Sequence, residues 1–372
     1  MCNKLTFNQS QIDLNKEIKE IRSANVDFHT TNGTIIDLSD LKTYTIDDPN
    51  TLEIDDAISL ERIDQNYKLW IHIASPATYI NYNSYLDKRA RKLISTQYLA
   101  TSNIYMFPSI VIDKIFSLTQ KCKRAALSLG IIFNNDATVS SSEIVQSIIN
   151  VNYQLSYLEA DELIDYAPKE EEDLSIISRI LEKRKSWRIK RGAKEILESY
   201  GKVKVIDKIP TINVTDQTIS RTLISEAMII YGDLMSNYTK INNIPVPYRV
   251  QERKTDQVNY YKSSLNNQIL YNHHLKKNMG KTYYSISPLS HSSLGLTSYL
   301  HATSPIRRYA DLLVHYQINR YLNKKDLISK EQINININQI NNIGRQNISK
   351  YREDQKIWIN KWFEGNSFKE YK

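Results

Sequence analysis

The sequence predicts an α+β fold, and two observations carry that expectation. Strand-like runs crowd the segment from Gly33 to Tyr157, and long runs with helical spacing fill the chain from Glu170 onward. At 372 residues the chain is long enough for one large domain or two ordinary ones with a substantial core.

Residues 1–40 read as a short N-terminal extension, polar and mixed, with an apolar-periodic stretch around Ile18 and Ile21 and a strand at Gly33 to Leu38. From Thr43 to Ile80 the pattern is strand-like: YTI leads into an acidic stretch, AISLERI alternates, and YKLWIHIASP is a strongly apolar run closed by Pro76. A basic segment, LDKRARKL, occupies Leu86 to Leu93. ALSLGIIF, Ala126 to Phe133, reads as a buried strand ending at the turn Asn134-Asn135-Asp136, and sheet building continues through SEIVQSIINVNYQLSY.

Helices follow. The first starts at Glu170, Glu171, Glu172 and Asp173 and ends with Arg188, Lys190 and Arg191 before Gly192, which matches the helix dipole at both ends and puts Gly where a C-terminal cap belongs. A second spans Gln217 to Tyr238, with Leu223, Ala227, Ile230 and Leu234 at helical spacing and Asp216 or Thr215 as its cap. A third follows TSPIRRYADLLVHYQINRYL, and the last runs through ISKYREDQKIWINKWF. INININ, Ile333 to Asn338, alternates like a strand, yet Ile333, Ile337 and Ile340 also suit a helix, the preferred reading.

Lys and Arg number 49 against 41 Asp and Glu, a formal charge of +8, which favours anionic partners such as nucleic acid and fits a solvated basic surface equally well. Two cysteines, Cys2 and Cys122, make neither a disulfide framework nor a zinc site and suit a reducing compartment. No apolar run approaches the ~20 residues of a membrane span, so no membrane partner is expected. The start shows no signal-peptide core and no Arg-rich transit pattern. Abundant Asn, Ile, Lys and Tyr read as AT-rich codons, pointing to an organelle or an AT-rich bacterium.

TIDDPNTLEIDDA, Thr45 to Ala57, holds Asp47, Asp48, Glu53, Asp55 and Asp56. In a regular strand Glu53 and Asp55 would share one face and Asp56 the other, so their convergence requires an irregular turn. Carboxylates without His or Cys suit hard cations, Mg²⁺ above all, with substrate phosphate filling open positions. A solvated acidic loop is the plain alternative, while an EF-hand is a poor match in spacing and lacks the turn Gly. HATSPIRRYADLLVH, His301 to His315, sets Pro305, Arg307 and Arg308 where a helix N-terminus and guanidinium groups would form a phosphate-binding corner, or an ordinary capped helix with surface arginines.

Together these two stretches resemble the catalytic RNB domain of the ribonuclease II family, with YKLWIHIASPATYI, NIYMFP, AALSLGIIF, LISEAMII and HSSLGLTSYLHATSPIRRY in the family's order. The resemblance covers Leu41 to Phe363, leaving 364–372 as a short tail, and implies a mixed β-sheet core surrounded by α-helices. It implies a hydrolytic 3′-to-5′ exoribonuclease that degrades single-stranded RNA to nucleoside 5′-monophosphates with two Mg²⁺ ions, or Mn²⁺, about 4 Å apart.

By motif position, Asp47, Glu53, Asp55 and Asp56 match the metal site, Glu53 standing where ribonuclease II carries Asp, and Asp55 is the residue most tied to the chemistry. Arg307 matches the clamp on the scissile phosphate, with Arg308 a secondary contact. Tyr105 matches a tyrosine stacked on the 3′-terminal base, and Ile196 stands where relatives place a stacking Phe. Glu353 is a further acidic candidate near the site. LDKRARKL and EKRKSWRIKRG are the expected channel walls, or solvated helix faces.

The family's cold-shock-like and OB-fold domains lie outside the resemblance, so RNA affinity is expected to be weak or to depend on an accessory RNA-binding protein. Two competing readings are a scaffold with the same fold and no turnover, and a DNA exonuclease. The expected location is the plastid (chloroplast) stroma, with bacterial cytoplasm as the alternative.

Overall fold

The computed structural model describes residues 14–22, 35–195, 200–253 and 268–366. The early periodic stretch is a helix, α1 (14–22), that buries Ile21. A mixed seven-stranded sheet follows, built from β1 (Ile36–Asp37), β2 (Thr43–Asp47), β3 (Asp56–Ile63), β4 (Asn66–Ala74), β7 (Lys123–Phe133), β8 (Val139–Asn150) and β9 (Tyr153–Ser156). Its order is β1-β8-β7-β4-β3-β2-β9; the central pairs are antiparallel, while β1 and β9 join the two edges in parallel.

The alternation legible in the sequence sorts the two faces. Ile58 and Leu60 of β3, Leu69, Ile71 and Ile73 of β4, and Leu127, Leu129 and Ile131 of β7 face one way. They pack on α3 (Tyr157–Tyr166), α4 (Asp173–Lys190) and α5 (Ile219–Ile241). Each such buried side chain contributes about 1.5–3 kcal/mol.

The opposite face carries smaller residues, Ala57, Ala74 and Ala126, against α2 (Tyr85–Leu93), α7 (Tyr309–Leu322) and the start of α8 (Lys330–Gly365). Along it runs a chain of hydrogen bonds from Thr43 Oγ1 to Ser59 Oγ (2.8 Å), to His72 Nε2 (2.9 Å), from His72 Nδ1 to Ser128 Oγ (2.7 Å) and on to Ser147 Oγ (2.6 Å). A one-residue slip of any strand would break this chain, so it fixes the register.

Helix α7 is buried from Tyr309 to Asn319 and contributes to both cores. α4 ends as expected, with Gly192 at φ +96°. α5 takes Thr218, not Asp216 or Thr215, as its cap, the hydroxyl accepting from the Arg221 N–H. INININ is helical within α8, where Ile333, Ile337 and Ile340 are buried.

Three features depart from the sequence reading. The sheet stops at Ser156, whose capping box with Glu159 starts α3. The helical second half contains two two-stranded antiparallel sheets: the hairpin of β10 (Tyr200–Ile206) and β11 (Ile209–Thr215), and the pair β12 (Tyr248–Arg253) with β13 (Met279–Ser285), between which lies α6 (Gln268–Asn278). A short pair, β5 (Gln97–Tyr98) and β6 (Asn103–Ile104), follows α2.

Candidate active site

The acidic stretch lies where β2 leaves the sheet and β3 re-enters it: Asp47 ends one strand, Asp56 begins the other, and the backbone between them is irregular, with Asn50 at φ +65°. Backbone contacts hold the loop against its surroundings. Ile54 donates its N–H to Ser117 Oγ (3.3 Å), Ile54 O accepts from Leu118 (3.0 Å), and Asp55 O accepts from Ala74 (2.8 Å). The irregular turn that convergence of the carboxylates requires is therefore present.

Asp55 is 2% exposed and accepts from the Ile306 N–H (Oδ1, 2.9 Å) and from Arg307 Nε (Oδ2, 3.2 Å). Burial pushes its carboxyl up to about 8 against the pull of Arg307 and that N–H. Asp47 is raised by burial and by Asp56 and Asp55, and Asp56 by burial, which Arg307 and Arg308 oppose. Asp47 Oδ2 and Asp56 Oδ2 are buried without a hydrogen-bond partner. Such unpartnered carboxyl oxygens fit a hard cation, which would satisfy them and favour their ionised form.

Glu53 is placed differently. Its Oε1 accepts from Thr96 Oγ1 (2.6 Å) and its Oε2 from the Tyr98 hydroxyl (2.5 Å), with only 4% of the residue exposed. Burial raises its carboxyl while Thr96, Tyr98 and Arg307 act the other way. Among the described residues no three acidic, His or Cys side chains converge at ligand spacing; Arg307 stands against Asp55, and Glu53 is turned to β5.

The arginine segment corrects one expectation. α7 starts at Tyr309, so Pro305 opens a turn and not the helix. The Ile306 N–H is spent on Asp55, those of Arg307 and Arg308 on Ser304 O, and that of Tyr309 on Ile94 O. No helix-N-terminus corner of free amides forms there, and the guanidinium groups carry the positive charge. Arg308 is anchored through Nε and Nη2 to Asp311 Oδ2 (3.1 and 2.8 Å) and through Nη2 to Ser304 Oγ (3.0 Å).

Asp47, Glu53, Asp55, Asp56, Arg307 and Arg308 line one cavity of about 1590 Å³. Tyr105 also lines it, half-buried, with its hydroxyl accepting from Asn103 Nδ2 (3.1 Å). Ile196 lies outside the described residues. Glu353 is exposed and is not in the lining; its neighbour Asp354 accepts from the Ala100 N–H (2.7 Å).

The two basic runs do not form the walls. Arg91 pairs with Asp87, Arg184 with Asp233 (3.0 Å) and Arg188 with Glu226, so these charges serve the packing of α2 and α4. The cavity takes its cations from Lys202 and Lys204 of β10, Arg221 of α5, Arg249 of β12, Lys276 of α6, Lys281 of β13, and Arg345 and Arg352 of α8. Sequence reasoning also missed Tyr98 and His301. The His301 Nδ1 lies 2.8 Å from the Tyr284 hydroxyl, and burial together with Arg308 and Arg249 keeps its imidazole neutral. No basic run marks these residues, because they come from separate elements.

The RNB domain model matches residues 35–324. An uncharacterized ribonuclease of Synechocystis is 36% identical over 300 residues, covering 80% of this chain and 45% of its own length. Ribonuclease II, chloroplastic/mitochondrial, of Arabidopsis thaliana is 32% identical over 298 residues, covering 78% of this chain and 37% of its own. The chain thus spans less than half the length of these relatives. Mycoplasma genitalium RNase R, solved in complex with ribose-methylated single-stranded RNA, superposes with a TM-score of 0.85 over 94% of this chain and 61% of that one, at 22% identity, a likeness of fold.

Proposed function

The chain belongs to the RNB-domain family, and on that premise we propose that it is a hydrolytic exoribonuclease that shortens single-stranded RNA from the 3′ end and releases nucleoside 5′-monophosphates. The observation that carries this reading is the meeting of buried, unpartnered Asp47 and Asp56 oxygens with Asp55 and Arg307 on the floor of a cation-lined cavity.

Asp47, Asp55 and Asp56 would hold Mg²⁺, as two ions, or Mn²⁺ in its place. Bound there, the ions supply an activated water and charge neutralisation at the scissile phosphate. Arg307 pairs with Asp55 in the described state and lines the same cavity; there it would meet the phosphate, where a guanidinium stabilises developing negative charge. Tyr105 presents an aromatic ring to the cavity, and stacking on a ring holds a base without reading its identity. The cations of β10, β13 and α8 draw the phosphate backbone inward. The plant organellar and cyanobacterial relatives support a plastid setting.

The test uses a 5′-labelled single-stranded RNA with wild type and Asp55→Asn, each in Mg²⁺ and in chelator. A ladder shortening from the 3′ end that requires both the metal and Asp55 is expected. RNA bound but uncut in every lane would replace this reading with a non-catalytic RNA-binding role.

A further inference from the structure

We propose that Glu53 is a positioning residue and not a metal ligand: it fastens the strand carrying Tyr98 to the acidic loop and so sets the tyrosine-lined wall of the cavity. The inference rests on the reading of the site given above and deepens it.

Three segments meet at this carboxylate. The segment Ile94–Tyr98, which ends in β5, is tied by its backbone to the arginine turn, through the Thr96 N–H to Arg307 O (3.0 Å) and the Tyr309 N–H to Ile94 O (2.8 Å). It is tied to the acidic loop through side chains, Thr96 and Tyr98 each donating a hydroxyl hydrogen to a different oxygen of Glu53. Thr96 Oγ1 in turn accepts the Met106 N–H (3.0 Å), the residue next to Tyr105. Glu53 therefore bears directly on Tyr98 and, through Thr96 and the Met106 backbone, on Tyr105.

Asp47 and Asp56 each keep a buried oxygen with no partner, open to a cation in the cavity they line. Glu53 shows the reverse, with both oxygens hydrogen-bonded by neutral donors and the side chain turned toward β5. Hydrogen bonds to an ionised carboxylate are among the stronger ones in proteins, so the arrangement is a stable anchor. A ligand role would require breaking one or both and moving the Tyr98 ring.

The experiment uses the full chain as wild type, Glu53→Gln, Tyr98→Phe, their double variant and Asp56→Asn. Mn²⁺ uptake is followed by electron paramagnetic resonance, and the Kd for single-stranded RNA is measured by fluorescence anisotropy in chelator, where turnover plays no part. Glu53→Gln and Tyr98→Phe should leave Mn²⁺ affinity within about twofold of wild type, whereas Asp56→Asn weakens it by about tenfold or more.

Each of the two should raise the RNA Kd by about tenfold, and the double variant should be no worse than either single, since both remove the same contact. The inference is overturned if Glu53→Gln loosens Mn²⁺ as Asp56→Asn does, or if the two effects on RNA simply add. A wild type that takes up no Mn²⁺ would instead remove the metal reading of the site, while the double-variant cycle in chelator still reads the Glu53–Tyr98 coupling. Should Glu53→Gln not fold, Tyr98→Phe alone serves: unchanged RNA affinity there overturns the proposal.

Discussion

Arg307 belongs to two systems at once, paired through Nε with buried Asp55 and 40% exposed to the cavity through the rest of its side chain. Burial works against its charge, and Asp55 with its neighbours more than offsets this, so the guanidinium stays charged at any working pH. Arg307→Lys keeps a cation but loses the planar fork, and kcat/KM on single-stranded RNA should fall by about 10²–10³-fold, as when a preorganised transition-state donor is removed. Steady-state kinetics on an oligoribonucleotide would check this, and a loss below tenfold would show that the phosphate is held elsewhere. At this scale the floor of the site was legible because its residues sit in two short contiguous motifs. Tyr98 was not, since a tyrosine in a two-residue strand has no periodicity to mark it and its partner Glu53 lies 45 positions away. The hydroxyls that engage Glu53 were hidden for a related reason: motif position says which residue is acidic, while the groups facing it are set by the tertiary fold.

The β10–β11 hairpin shows why the walls were harder to read than the floor. Its two turn residues, Asp207 and Lys208, sit at φ +50° and +68° without a glycine, so the usual Asn-Gly or Asp-Gly signal is missing although the strands alternate. Val203 is buried, and Gln355 of α8 both donates to its carbonyl oxygen and accepts its N–H, fixing the hairpin against the last helix. Lys202 and Lys204, on the other face, line the cavity. The long basic runs misled because helix arginines such as Arg184 and Arg188 are consumed in buried ion pairs, whereas the wall cations are single residues on separate elements. Lys204→Ala should weaken single-stranded RNA binding to a similar degree for every sequence and flatten the slope of log K against log salt by about 0.7, the loss of one phosphate contact. Anisotropy titrations at several salt concentrations would measure it, and an unchanged slope would take Lys204 out of the RNA path.

Across the whole molecule the sheet divides the core into an apolar face and a small-residue face threaded by hydrogen bonds, and this division makes folding sensitive to acid. His72 lies in the middle of the chain of hydrogen bonds; burial pushes its imidazole down to about 3, and burial likewise pushes His315 and His291 down to about 4. In the unfolded chain each returns to about 6.5. A folded pKa below the unfolded one means that the unfolded chain takes up the proton first. The stability these histidines contribute is therefore complete above about pH 6.5 and is lost as pH falls toward the folded values, at about 1.4 kcal/mol per pH unit for each proton. Asp47 and Asp55, raised by burial, bind protons in the folded state and act in the opposite direction, so the slope of the wild type alone mixes the two. A difference between two proteins sharing those carboxylates separates them. Glutamine at position 72 has a donor and an acceptor with which to bridge Ser59 and Ser128 but no titration in this range. Chemical denaturation of wild type and His72→Gln from pH 7 to pH 4 should show the dependence on pH flattened by about one proton in the variant. Parallel curves would mean that His72 takes up its proton as readily in the fold as in the unfolded chain, and that the hydrogen-bonded chain across the sheet tolerates a charge at its centre.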